Sequence, residues 1–190
     1  MTRNIKFVSG PDSGWGYTIV IYQMWEGKNS RTGFAVLDSV EFTLGGQYDT
    51  EKASLNLINN GDYSSGVTKI QKSSFSFCRS FCIYAMANSG ANINHNIFYE
   101  GRKFHMKLNQ ISDSTIDSNL MIGAIFRPTM IGAEPVACIE LTNTNPGSSS
   151  ILVTNNLCQG SNLNGFVFPF VACSNLEGTM PFANNTAGSA

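Results

Sequence analysis

One apolar segment constrains the fold most strongly: the nine residues from Tyr17 to Trp25. They are mostly β-branched or aromatic, and turn sequences flank them on both sides, which is typical of a β-strand. Alternate side chains of a strand face opposite ways, and here both sets are apolar. We therefore expect cover on both sides and a central position in a sheet.

Other apolar runs follow, separated by turn sequences rich in Gly, Pro, Asn and Asp. The longest lie at 34–44, 75–86 and 97–108. No stretch shows the 3.6-residue period of a helix, and no repeat of 20 to 50 residues is apparent, which argues against solenoids. The sequence therefore predicts an all-β fold, an antiparallel β-sandwich or jelly roll of about ten short strands with little or no helix.

The domain organisation follows from length and from the composition of the C-terminal end. A chain of 190 residues suits one domain. We expect a single β-sandwich domain over 1–176. Residues 177–190 are rich in Gly, Ala, Asn and Thr, so they predict a tail that is either flexible or docked on a partner.

The chain carries little charge. Charged residues make up 13% and the formal net charge is −1, whereas an average soluble domain has roughly 25% charged residues. Proteins that bind nucleic acid usually carry a strongly basic surface, so a net charge of −1 does not favour nucleic acid as the main partner. It does favour self-association, because little charge repulsion opposes contact between copies.

The lengths of the apolar runs indicate the compartment of the protein and whether the chain spans a membrane. The sequence begins without the apolar stretch of a signal peptide, which predicts synthesis in the cytoplasm, with incorporation into a virion or other extracellular particle if the chain assembles. No apolar run has the roughly 18 residues of a membrane span.

The five cysteines show no metal-binding or redox spacing. Cys78 and Cys82 lie in one predicted strand, where a rise of about 3.3 Å per residue would place them about 13 Å apart. That distance excludes joint ligation of one metal, and we expect both to be small buried hydrophobic residues. No cofactor or metal is predicted.

The sequence lacks the familiar catalytic signatures. There is no nucleophile elbow, phosphate-binding loop or zinc-protease motif, and the only histidines are His95 and His105. Carboxylates could support glycan hydrolysis, but spacing in one chain does not show which acids converge. We therefore expect no enzyme, with a glycan-active hydrolase as the least favoured alternative.

The only basic concentration comprises Arg102, Lys103, His105 and Lys107. These four could contact phosphates at a modest level. Stacking aromatics of the kind that bind single-stranded nucleic acid do not alternate with them. We interpret the group as a solvated strand face.

A candidate ligand site combines aromatic residues with polar loops. Trp15 lies between Gly14 and Gly16, so the backbone can approach closely there. An exposed indole could stack on a sugar, although a core-capping position is the favoured interpretation. A second aromatic, Tyr63, follows Asn60 and Asp62 in a polar loop, and these three with Trp15 form the speculative binding set.

Three functional hypotheses remain. The first is a non-enzymatic structural subunit that assembles with itself or with other subunits, such as a viral or phage coat, decoration or fibre component. The alternative is a carbohydrate-binding module, or lectin, that uses loop aromatics. The third is the hydrolase.

Overall fold

The computed structural model describes residues 5–11, 15–26, 29–48, 50–58, 67–125, 136–142, 150–169 and 182–189. Within these ranges the chain is all-β without a helix, so this part of the prediction is confirmed. The strands, in chain order, are β1 (Ile5–Val8), β2 (Ile19–Glu26), β3 (Asn29–Thr32), β4 (Val36–Asp38), β5 (Val40–Thr43), β6 (Leu55–Ile58), β7 (Thr68–Gln71), β8 (Ser74–Ser76), β9 (Ile83–Met86), β10 (Ala91–Asn94), β11 (Ile97–Arg102), β12 (Phe104–Asn109), β13 (Ser114–Asp117), β14 (Leu120–Ile125), β15 (Ala137–Thr142), β16 (Ile151–Thr154), β17 (Leu157–Ser161), β18 (Asn164–Val167), β19 (Phe182–Ala183) and β20 (Thr186–Ser189).

These strands form three sheets. Sheet 1 has the order β1-β5-β8-β11-β14-β17-β20, sheet 2 the order β3-β2-β6-β9-β12-β15-β18, and sheet 3 the order β4-β7-β10-β13-β16-β19. The chain visits sheets 1, 2 and 3 in turn and then returns to sheet 1 beside its earlier strand. Among the paired strands of the described ranges only β2 and β3 are antiparallel. This architecture is a parallel β-helix, and we call each circuit a coil.

The predicted antiparallel sandwich is therefore wrong, and the argument against a solenoid fails with it. Ile97 pairs with Ser74 and with Leu120, each 23 positions away in the chain. Elsewhere the spacing differs: Val40 follows its partner Ile5 by 35 positions. Because insertions of different length enter the coils, no fixed period runs through the sequence.

The three long apolar runs are not single strands. Each is broken at a corner by a non-glycine residue in the left-handed region: Ser39 (φ 60°), Phe77 (φ 54°) and Lys103 (φ 66°). Such a conformation is uncommon for residues other than Gly, Asn and Asp. A run that reads as one strand therefore supplies strands to two different sheets.

The apolar segment from Tyr17 to Trp25, which the sequence predicts at the centre of a sheet, contains most of β2 and lies near one end of sheet 2. Strand β2 pairs with β6 on one side and with β3 on the other. Its inward Ile19 and Ile21 pack against the core, whereas the outward Val20, Tyr22 and Met24 are exposed. The expected cover on both sides is therefore wrong for the outward face.

Stacked side chains fill the interior. The rings of Phe7, Phe42, Phe75 and Phe98 lie one above the other on successive strands of sheet 1, with centroid separations of 5.3, 4.5 and 5.0 Å. Stacking of this kind follows from the in-register parallel pairing of these strands. Such aromatic pairs contribute about 0.5 to 1.5 kcal/mol each beyond their burial.

A ladder of polar side chains lines the corner between sheets 3 and 1. Its members, on successive coils, are Ser73, Asn96, Asn119, Asn156 and Asn185, and we call it the asparagine ladder. Every member directly follows a residue with positive φ, namely Lys72, His95, Ser118, Asn155 and Asn184 in that order.

The side chain of each asparagine in the ladder forms hydrogen bonds with polar groups of the preceding coil. Oδ1 of Asn119 accepts the backbone N–H of Asn96 at 3.0 Å and its side-chain amide at 3.1 Å. The Nδ2 of Asn119 donates to the carbonyl of Ile93 at 2.9 Å. Asn156 repeats both roles toward Asn119. Buried backbone groups at the tight corner, which would otherwise lack partners, are thus hydrogen-bonded.

We expect Asn119→Leu to lower the free energy of unfolding by about 3 kcal/mol, because at least two buried groups lose partners at about 1 to 3 kcal/mol each. Urea denaturation provides the measurement. The matched control is Asn92→Leu, on the outward side of β10. Equal losses in the two variants would contradict the ladder's structural role.

Two disulfides cross-link the described part of the chain: Cys78–Cys82 and Cys138–Cys158. The Cα atoms of the first pair are 5.2 Å apart. The expected separation of about 13 Å is wrong because the chain turns a corner after Phe77 instead of remaining extended. Both residues are buried as expected, but as disulfide-bonded cysteines.

Part of the predicted tail belongs to the coils. Residues 182–189 provide β19 and β20, which pair with β16 and β17. The rest of 177–190 lies outside the described residues.

Candidate functional site

A groove of about 790 Å³ lies on the outward face of sheet 2, near the N-terminal coils. Its floor consists of outward side chains from adjacent strands: Val20 on β2, Ile58 on β6, and Tyr84 and Met86 on β9. The pairing of Val20 with Asn56 and of Asn56 with Tyr84 aligns one row across the sheet, and the pairing of Ile58 with Met86 aligns a second row. The floor is therefore mainly apolar, with Asn56 as its polar member, and follows the long axis of the coils.

Trp15 forms one wall of this groove, and its side chain is 68% exposed. The favoured interpretation, a tryptophan that caps the core, does not describe this position. The segment is anchored by a bridge between Trp15 and Gln47 and by a hydrogen bond from Gly46 N–H to the Tyr17 carbonyl at 2.8 Å.

Gly16 is needed for this close approach. A Cβ at position 16 would overlap the carbonyl oxygens of Leu44 and Gly46. The sequence argument that glycine beside Trp15 permits close backbone contact is thus confirmed for Gly16, whereas Gly14 lies outside the described residues.

Polar groups line the groove beside Trp15, because Trp15 is bridged to Gln47. The loop that carries Gln47, Thr50 and Lys52 is held by its own hydrogen bonds: Thr50 Oγ1 donates to the Gln47 carbonyl at 3.0 Å, and Gln47 N–H donates to the Lys52 carbonyl at 3.0 Å. Ser80 Oγ also donates to the Thr50 carbonyl at 2.6 Å. The groove is therefore lined by an apolar floor, an indole wall and an ordered polar rim.

A small charged cluster borders the groove. The ammonium of Lys107 lies 3.4 Å from Glu51 Oε1 and 3.9 Å from Glu140 Oε2. Burial raises the pKa of the Tyr84 phenol, and the nearby carboxylate of Glu51 raises it further. Tyr84 therefore keeps its proton at neutral pH, and its hydroxyl donates to Sδ of Met86 at 3.4 Å.

The four predicted basic residues do not share one solvated face. Arg102 stacks on the ring of Tyr48, with 3.6 Å between its Cζ and the ring centre, and Lys107 is held between carboxylates. His105 is fully buried, and its Nε2 accepts the Gly101 N–H at 3.1 Å. Lys103 lies at the corner that ends β11. The corner at Lys103 turns the side chain of His105 toward the interior. Strict alternation along one continuous strand predicts instead that His105 faces solvent with Lys103 and Lys107.

Of the predicted ligand-binding set, the structure describes Trp15, and this residue lines the groove. Tyr63, Asn60 and Asp62 fall outside the described residues. Sequence reasoning missed Tyr84, Val20 and the 47–52 loop, because only the register of parallel strands brings them together. In the described ranges no three His, Cys, Asp or Glu side chains are grouped closely enough to hold a metal ion.

The comparisons with known proteins add no assignment. The chain matches no known family model, no curated protein and no solved structure. Within the parts of the chain that the structure describes, no helix has the length and apolar character to cross a membrane.

We expect stability to fall with acidification because of His105. Burial lowers the pKa of its imidazole to about 3, whereas the ordinary value in an unfolded chain is about 6.5. Between these values only the unfolded state binds the proton, so the full stability is present above pH 6.5 and is lost as the pH falls. The loss approaches tenfold in the unfolding equilibrium per pH unit.

Urea denaturation at pH 7.5, 6.5, 5.5 and 4.5 measures this dependence. In the variant His105→Gln, which keeps an acceptor for Gly101, the slope between pH 6.5 and 4.5 should flatten. A slope that stays unchanged in this variant would assign the acid sensitivity to other groups.

Proposed function

We propose that this chain is a non-enzymatic carbohydrate-binding module whose groove on sheet 2 holds a short run of a glycan. The observation that carries the proposal is Trp15: a large, exposed aromatic side chain on an anchored backbone, with the polar residue Gln47 beside it. A pyranose ring has apolar C–H faces and hydroxyl groups around its edge. An indole platform with hydrogen-bonding groups beside it complements both features.

The floor of the groove supports an extended ligand. Neighbouring strands lie about 4.8 Å apart, close to the advance of one sugar residue along an extended hexose chain. Successive rings could therefore meet successive strands β2, β6 and β9. The side chains of Gln47 and Lys52 line the groove and offer hydrogen-bonding groups for sugar hydroxyls.

Charge and cross-links also suit this proposal. The basic residues Arg102 and Lys107 are engaged within the protein, which does not favour an anionic polymer as ligand. Two disulfides favour an oxidising compartment, such as an extracellular setting, where glycans are abundant.

We expect Trp15→Ala to weaken glycan binding at least tenfold, as removal of a central aromatic anchor typically does. The melting temperature should change by only a few degrees, because the side chain is largely exposed. A glycan array with the unmodified protein identifies the best oligosaccharide, and titration calorimetry then compares the variants.

The matched control is Tyr99→Ala, another exposed aromatic residue, located on sheet 1. It should bind as the unmodified protein does. If Trp15→Ala binds the selected glycan normally, or if the unmodified protein binds no glycan, the proposal fails.

A second candidate, the self-assembling structural subunit, is favoured by one separate observation. The outward face of sheet 1 carries exposed Ile97 (42%), Tyr99 (41%) and Leu157 (38%), with half-buried Leu120 between the two aliphatic residues. A contiguous apolar face of this kind suits contact with a second copy of the chain.

If this face assembles copies, light scattering will give a mass that is a multiple of 20.6 kDa. The double substitution Ile97→Lys and Leu157→Lys should then yield the monomer, because unpaired charge is costly in an apolar contact. Val36→Lys, at an exposed position on sheet 3, serves as the control. A monomeric unmodified protein would remove this candidate.

A further inference from the structure

Arg79 is an unusual buried residue. It lies between the bonded Cys78 and Cys82, after β8, and only 2% of its surface is exposed. Burial of a guanidinium is costly unless its donors find acceptors. Its position therefore needs an explanation from its contacts.

The contacts of Arg79 lead to the groove wall. Its guanidinium donates to the carbonyl of Trp15, to that of Gly10 at 2.5 Å and to that of Pro11 at 3.4 Å. Its own backbone N–H donates to the Gly45 carbonyl at 2.9 Å. One side chain thus ties the segment between β1 and β2 onto a coil more than sixty residues later.

The disulfide holds Arg79 at this point. The carbonyl of Cys78 accepts the N–H of Arg102 at 3.2 Å, and the N–H of Cys82 donates to the His105 carbonyl at 3.1 Å. Both cysteines are therefore anchored on the next coil, and the bond between them fixes the ends of the short loop that carries Arg79. Cys78 also lines a cavity of about 140 Å³. Because Cys78 and Cys82 are only 1% and 0% exposed, a reductant reaches their disulfide when the loop opens locally.

We infer that Arg79 is the positioning residue for Trp15, and that the Cys78–Cys82 disulfide makes the shape of the groove sensitive to dithiol reductants. This inference rests on the proposed function for its binding consequence, but its effect on Trp15 can be measured without a ligand. Reduction removes the covalent link between Cys78 and Cys82 and leaves only their backbone hydrogen bonds to the next coil, so the loop that carries Arg79 is held less tightly and the indole wall gains mobility. Arginine suits this task because its planar fork can donate to several carbonyls at once.

The redox step is an ordinary thiol–disulfide exchange. A thiolate of the reductant attacks one sulfur of the Cys78–Cys82 bond, which breaks as a mixed disulfide forms. The second thiolate of the reductant then displaces the protein sulfur and closes a cyclic disulfide. Two electrons pass to the protein, and two protons complete the thiols of Cys78 and Cys82.

The test uses Trp25→Phe protein, in which Trp15 is the only tryptophan. We expect dithiothreitol to lower the fluorescence anisotropy of Trp15 and to weaken glycan binding at least fivefold, while the far-ultraviolet circular dichroism stays unchanged. Alkylation followed by mass spectrometry shows which of the two disulfides has been reduced.

Three variants in this background assign the effect. Cys78→Ser with Cys82→Ser should show low anisotropy from the start and no further response to dithiothreitol. Arg79→Gln should lower the anisotropy with the disulfide intact, whereas Arg79→Lys, which keeps the charge, should restore part of it. A loss that is merely structural would instead change the circular dichroism and would not be rescued by lysine.

The outcomes separate this inference from the proposed function. If glycan binds, but neither reduction of Cys78–Cys82 nor Arg79→Gln changes the fluorescence anisotropy of Trp15, the inference is wrong and the binding function stands. If the anisotropy responds while no glycan binds, Arg79 positions Trp15 as inferred and the proposed function is wrong.

Discussion

The asparagine ladder is the interaction on which the rest of this structure depends. A chain that turns from sheet 3 to sheet 1 within two residues brings backbone N–H and carbonyl groups into the interior, where water cannot reach them. Asn96, Asn119 and Asn156 hydrogen-bond those groups in the preceding coil. Because each rung needs the next coil directly above it, the ladder sets the register between coils. The stacked rings of Phe42, Phe75 and Phe98 lie in coils that this ladder joins.

A fixed register on one corner leaves the other connections free to vary in length, and the candidate groove is formed by two of these connections. The coils that contain β8 and β11 have the shortest spacing, whereas the first coils carry long connections between sheets. One of these connections holds Trp15 and another holds the 47–52 loop, and together they enclose the groove over sheet 2. Arg79 joins the two parts, since it is fixed within a regular coil and binds the carbonyls of the variable connection. The site therefore combines a rigid repetitive scaffold with loops that differ from coil to coil.

The all-β content could be predicted from apolar runs and turn residues, and Gly16 indicated a close backbone contact at Trp15. The parallel architecture could not be predicted from strand propensity, because Ser39, Phe77 and Lys103 adopt left-handed conformations that their residue types rarely show. A weaker signal was present: residues 93–98, 116–121 and 153–158 share an apolar residue, two polar residues, an asparagine and two apolar residues. The unequal insertions between these segments hide the repeat. The groove depends on strand register, so its floor could not be found before the coils were known.

The central claim is that Trp15 forms the wall of a glycan-binding groove. The most direct test is a nuclear magnetic resonance titration of ¹⁵N-labelled protein with the oligosaccharide that binds best on an array, following the indole N–H signals of both tryptophans. The account predicts that the Trp15 signal shifts progressively and saturates together with the backbone signals of Gln47 and Tyr84. Saturable binding that leaves the Trp15 signal in place would contradict it, because the ligand would then occupy another surface.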